Sequence, residues 1–242
     1  IFTSQRENQG NLFRYDLDNG KIIQITDFRD RGRPGGILST ANNSIYLFQS
    51  SRLIEINLDS LEERVICEIE GKMSPAGRAN PTADGKFILT QLREKQQSDK
   101  TPRISYSYSN FVENFKAKPF SQIVRINRDS GVLEVVHEDR RNMGHINTSP
   151  VIPDVLTYCH EGPWDQIEQR IWGLNIQTGE TWKIRDQEDH NIAIGHEYWF
   201  ADGERIGYHG RPRDGKGNHV FGFIKWDNTD HTEINFPFHS TH

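Results

Sequence analysis

Four glycine–basic pairs in the 242-residue chain each precede a turn by a similar distance: Gly32-Arg33, Gly77-Arg78, Gly144-His145 and Gly195-His196. A fifth comparable place, FPFHSTH, brings His239 and His242. Arginine offers a planar fork that fits a carboxylate, and Arg211 and Arg213 in YHGRPRDGKGNH add two more. Arginines and histidines gathered at one opening would hold an anionic ligand. Imidazoles there can also bind Mn, Fe, Ni, Cu or Zn, with ligands drawn from separate segments because no short metal motif occurs. Other chemistries lack their residues. The chain has no GxSxG elbow, Walker sequence or dinucleotide fingerprint. Glu161, Asp165 and Asp214 form no obvious pair for glycoside hydrolysis. Cys159 and His160 are neighbours at a strand end, where alternation sends them to opposite faces, against a Cys–His dyad.

Residues so far apart need a repeating scaffold to bring them together. Five segments share the pattern strand, Asp or Asn, turn, strand: FRYDLDNGKIIQI, LIEINLDSLEERVI, IVRINRDSGVLEVV, IWGLNIQTGETWKI and FIKWDNTDHTEINF. Their anchors Asp16, Asn57, Asn127, Asn175 and Asp227 are 41, 70, 48 and 52 residues apart. A second turn series, anchored on Asn43, Asp84, Asp154 and Asp202, repeats the spacings 41, 70 and 48. One insertion over 93–120 accounts for the long interval, and its NFVENFKA (110–117) is the one stretch that could form a short helix. Short strands joined by such turns are hairpins, and two hairpins per period make a four-stranded antiparallel blade. The fold expected is an all-β β-propeller of such blades, since a β-sandwich gives no reason for matched spacing in two turn series. About five blades' worth of chain is present in a single domain over 1–242, expected to be incomplete at both termini.

In a blade, the start of the innermost strand and the loop between the second and third strands share one face. The long polar loops, including CHEGPWDQ and YHGRPRDGKGNH, fall there with the glycine–basic pairs, so that face is expected to carry function. The net charge of −5 argues against a nucleic-acid partner, and no run of 18 apolar residues exists to span a membrane. Two cysteines cannot build a disulfide framework, which leans towards a reducing compartment.

The linked set GH (144–145), CHEGPW (159–164), R-x-W (170–172) and HE-[YF]-W (196–199) resembles the oligogalacturonate lyases, with looser similarity from NLFRYDL to FHSTH. The resemblance implies a cytoplasmic propeller, seven-bladed when complete, that cleaves short oligogalacturonides by metal-dependent β-elimination, usually with manganese. It makes His145 the Brønsted base and His196 a metal ligand. The family's Gln-x-x-His-x-His ligand segment does not occur in this chain, and Gln122 stands where an arginine is expected. The substrate-binding set expected on this face is Arg33, Arg78, Arg170, Arg211 and His160. A competing reading is a non-catalytic TolB-like propeller that binds a protein or an anionic glycan. The register of His145 and His196 separates the two, because a binding platform has no need of it.

Overall fold

The computed structural model describes residues 1–6, 9–28, 35–95, 108–188 and 191–238. The first sheet holds β1 (Phe2–Arg6), β2 (Gln9–Tyr15) and β3 (Ile22–Gln24), and the second β4 (Ile37–Ser39), β5 (Ser44–Gln49), β6 (Arg52–Asn57) and β7 (Glu63–Glu68). In the third, the innermost position is split between β8 (Met73–Pro75) and β9 (Asn80–Pro81), followed by β10 (Phe87–Glu94), β11 (Phe120–Asn127) and β12 (Leu133–Arg140). The fourth is β13 (Met143–Thr148), β14 (Val155–His160), β15 (Ile171–Asn175) and β16 (Thr181–Lys183). The fifth is β17 (Ile192–Trp199), β18 (Arg205–Pro212), β19 (His219–Lys225) and β20 (Thr232–Phe236). Every pairing is antiparallel, and all but that of β8 with β10 join chain neighbours, as in propeller blades. Helix α1 (Tyr108–Ala117) lies between β10 and β11. Among the described residues no helix is long and apolar enough to cross a membrane.

The core lies between blades. Ile45 and Leu47 pack against Leu12 and Ile25 of the first sheet, while Tyr46 on the other face of β5 packs against Ile88, Leu92 and Val124 of the third. Leu89 and Ile123 meet Leu156, Tyr158 and Leu174, and Cys159 and Ile171 meet Ile194, Ile206 and Tyr208. A second strand buried on both faces explains the continuous apolar runs such as SIYLF and VLTYC.

The repeated Asp or Asn is a turn device. The Oδ1 atoms of Asp16, Asn57, Asn127, Asn175 and Asp227 each accept the backbone N–H two residues on, at 2.9–3.1 Å. The residue two places before each of the first three anchors ties its blade to the next, and at the fourth Trp182, packed over Gly173, makes the tie. Arg14 Nη1 donates to the Leu58 carbonyl at 2.7 Å, and Arg125 Nη1 to the Ile176 carbonyl at 2.8 Å. At the junction between them the polarity reverses: Glu55 accepts from Arg128 Nε and Nη2 at 2.9 and 2.7 Å. At the fourth, a Cβ on Gly173 would stand 2.2 Å from the Trp182 ring, whose Nε1 donates to the Trp226 carbonyl.

Burial alone would raise the Glu55 pKa, but hydrogen bonds from Arg64, Arg128 and Tyr46 outweigh it and hold it below 4.5. A carboxyl with a depressed folded-state pKa contributes stability above its unfolded value and loses it as pH falls through the folded one. Denaturant unfolding should therefore show stability falling below pH 4.5, with a shallower fall in Glu55→Gln. The variant should lose about 1–3 kcal/mol at neutral pH, the range for a hydrogen bond to a charged group. Equal acid sensitivity in both proteins would show that this junction does not carry the effect.

Candidate active site

The three described glycine–basic pairs, at 77–78, 144–145 and 195–196, sit at breaks in the innermost strands. Gly144 pairs with Cys159 but Asn147 with Thr157, and Gly195 pairs with His209 but Tyr198 with Gly207, so each ladder gains one residue. Around Arg78 the break is wider: Pro75 and Asn80 face Leu92 and Leu89 across the gap between β8 and β9. His145 has φ 47° and His196 φ 56°. Among the described non-glycine residues with positive φ, only these two lie inside strands. Such backbone strain costs about 1–3 kcal/mol per residue and persists where the surroundings over-determine it. The glycines are required by close approach: a Cβ on Gly144 would stand 2.8 Å from Glu161 Cγ, and one on Gly195 2.3 Å from Trp164 Cζ2.

The bulges put a carboxylate beside each nitrogen of His145. Nδ1 hydrogen-bonds Glu197 Oε1, and Nε2 lies 3.2 Å from Glu161 Oε1. The buried guanidinium of Arg170 joins both acids, with Nε 3.2 Å from Glu197 Oε2 and Nη1 3.3 Å from Glu161 Oε2. The His145 side chain remains 47% exposed while Glu197 is wholly covered, so the ring forms the accessible end of a buried charge network. Burial opposes ionisation of Glu197, yet His145 and Arg170 overcome it and bring its pKa to about 2. For His145 the Glu197 hydrogen bond raises the pKa above 6.5 against the opposing effect of burial, with Glu161 adding to the rise and Arg170 lowering it.

Trp164 makes the adjoining wall. Its ring lies 5.1 Å from His196, under Arg211 at 5.3 Å and Arg170 at 6.0 Å. The His196 and His209 rings are 5.9 Å apart on β17 and β18. Phe115 of α1 packs over Gly162, where an added Cβ would come within 2.4 Å, and so braces the loop that carries Glu161 and Trp164.

The sequence-expected residues divide. His145, Arg170, His196 and Arg211 cluster around this loop, and Arg78 is exposed at the equivalent strand break, near Gly35 of the preceding blade. Arg33, His239 and His242 lie outside the described residues. His160 turns away from His145 because it alternates with Cys159. It stacks on Trp172 at 5.1 Å and lines a separate cavity of about 840 Å³ with Asp139, Arg141 and Gln187. Burial, reinforced by Arg141, brings its pKa to about 4. Arg170 is engaged by two acids rather than open to solvent. The residues missed from sequence are Glu197, Trp164 and Glu161 as a partner of Glu197. No carboxylate pair was visible because its members lie 36 residues apart, in different blades.

Among the described residues two groups could accept a metal. The ligand atoms of His145, Cys159 and Glu197 fall within 4.8 Å of one another. That set does not fit manganese: burial pushes the Cys159 thiol well up, so it stays protonated, and Glu197 already serves Arg170 and His145. His196 and His209 supply adjacent imidazoles, which suit a first-row divalent cation as two members of its donor set.

A family model described as Oligogalacturonate lyase matches residues 1–224. The oligogalacturonide lyase of Pectobacterium atrosepticum is 22% identical over 210 residues, covering 86% of this chain and 53% of that protein. The chain thus spans about half the length of this curated relative. A solved oligogalacturonate lyase from Vibrio parahaemolyticus superposes with TM-score 0.82 at 23% identity, over 94% of this chain and 60% of that one. An oligogalacturonate lyase in complex with manganese gives TM-score 0.82 at 22% identity, over 96% and 60%.

Removing one partner of a buried ion pair costs about 3–5 kcal/mol, so Arg170→Met should lose stability on that scale in denaturant unfolding. Arg211→Ala, which removes an exposed cation from an indole face, should lose about 1 kcal/mol or less. Similar losses in the two variants would contradict the assignment of Arg170 as the buried lock.

Proposed function

Because the chain belongs to the oligogalacturonate lyase family, we propose that it forms the site-bearing blades of a metal-dependent lyase that cleaves short oligogalacturonides by β-elimination. The observation that carries this reading is His145, a half-exposed imidazole on a strained bulge with a carboxylate beside each ring nitrogen. In this reading its unprotonated nitrogen takes the proton from C5 of a uronate, and the glycosidic oxygen leaves from C4. General-base removal of a weakly acidic proton needs such a group, poised near neutral pH. The exposed guanidiniums of Arg78 and Arg211, with Arg33 as a further member, would receive the substrate carboxylates as planar forks. The indole of Trp164 would bound the sugar on one side, and α1 would steady the loop beneath it.

Manganese, bound by a related lyase, would be held in part by His196 and His209 and would supply Lewis-acid neutralisation of the uronate carboxylate. In this reading the donors belong to the blade that carries Glu197, the residue in contact with the His145 ring. Both cysteines are free, in keeping with a cytoplasmic setting.

In the full-length protein, His145→Ala should lose about 10²–10⁴ in kcat, the usual scale for a lost general base. Turnover is followed by the ultraviolet band of the unsaturated product, and substrate affinity should persist. A base works deprotonated, so a raised pKa moves the acid limb of kcat/KM above 6.5. Residual activity in the variant should lack that limb. His196→Ala should instead weaken metal affinity first, with activity partly recovered by excess Mn²⁺. Near-normal kcat and an unchanged limb in His145→Ala would remove it as the base.

A further inference from the structure

A neutral imidazole serves as a base through only one of its nitrogens, and the other must carry the proton. In water the tautomer with the proton on Nε2 is the commoner, so a base that works through Nε2 needs something to hold the proton on Nδ1. Glu197 is the group in contact with Nδ1 of His145. We propose that Glu197 is a positioning residue that holds the His145 ring as the Nδ1–H tautomer, so that Nε2 carries the lone pair. The catalytic consequence rests on the reading of His145 as base.

Three observations carry the assignment. The first is the division of labour on the carboxylate: Oε1 faces His145 while Oε2 accepts from Arg170 Nε at 3.2 Å. With one oxygen pinned, the other has a fixed direction, and a wholly buried side chain has no water to turn towards. The second is the backbone. The extra residue at Gly195–His196 reverses the alternation of β17, so that Glu197 enters the space between the fourth and fifth blades. The matching bulge at Gly144–His145 swings the ring across to meet it. Two strained histidine backbones thus serve one contact between blades. The third is the contrast with Glu161. Its Oε1 lies 3.2 Å from Nε2, but the pair does not meet hydrogen-bond geometry. The directional bond belongs to Glu197, while Glu161 is held by Arg170.

A buried Glu–Arg pair with no bearing on the ring would leave the tautomer as it is in water. The test is therefore spectroscopic. Long-range ¹H–¹⁵N correlation of the histidine rings, recorded at about pH 9, above the imidazole range, reads the tautomer directly. The His145 ring is assigned by the signals lost in His145→Gln. The wild-type protein should show a protonated Nδ1 and a lone pair on Nε2. Glu197→Gln should move the ring towards the Nε2–H form and lower kcat by about 10–100-fold, the scale for losing the partner that orients a functional histidine, with KM within a factor of about two. A wild-type spectrum with the proton on Nε2 would overturn the proposal, and that measurement needs no variant to fold. A changed tautomer with unchanged kcat would also overturn it. Full activity in His145→Ala would instead sink the reading of His145 as base, and a kcat loss in Glu197→Gln could not then be assigned to the ring.

Discussion

The guanidinium of Arg170 is the interaction on which the site depends. Two carboxylates, Glu161 and Glu197, approach one imidazole in a place closed to solvent, and without a fixed cation they would repel each other or take up protons. Arg170 fits because its fork presents separate N–H donors to separate acids, which a lysine could not do in one plane. The cost of burying it is offset only because both acids are aligned on it, and that alignment links the fourth blade to the fifth. The ring at the edge of this network is left half-exposed, with its environment set from behind.

The scaffold makes such a network possible by repeating one register error. A regular innermost strand would alternate His145 and His196 with their neighbours and send functional side chains into the packing between blades. One extra residue at Gly144–His145 and one at Gly195–His196 re-aim them, and these two glycines are dictated by Glu161 and Trp164 pressing on the same backbone. The strain is tolerated because the blades are held elsewhere, by apolar faces on both sides of each second strand and by polar ties two residues before the turn anchors. Stability and function thus occupy opposite ends of the same strands.

Much of this was legible in the sequence because turn chemistry is local. An Asx side chain satisfying the amide two residues on leaves a fixed mark, and the two agreeing spacing series reveal the blade period and the insertion between β10 and β11. The glycine–basic pairs were legible as positions, though not as bulges, because a one-residue slip leaves no compositional trace. His160 shows the limit. It lies beside Glu161 in sequence and next to Cys159, yet strand alternation places it against Trp172 and Asp139, facing the third blade. Glu197 was hidden for the converse reason: it follows the more conspicuous His196, and its partners come from other strands. Arg170 was legible as a residue of the site, but its burial between two acids was not, since charge pairing across 27 residues depends on blade packing.

The proposed reaction breaks a glycosidic bond by elimination, without adding water. Digalacturonate incubated with the full-length protein and Mn²⁺ in heavy-oxygen water distinguishes the possibilities by mass spectrometry. Elimination predicts one unsaturated and one saturated uronate, whose masses together equal that of the substrate, with no solvent oxygen introduced at the cleaved bond. Two saturated products, one carrying solvent oxygen from bond cleavage, would mean hydrolysis and rule out elimination, and intact substrate after prolonged incubation would rule out the lyase reaction on digalacturonate.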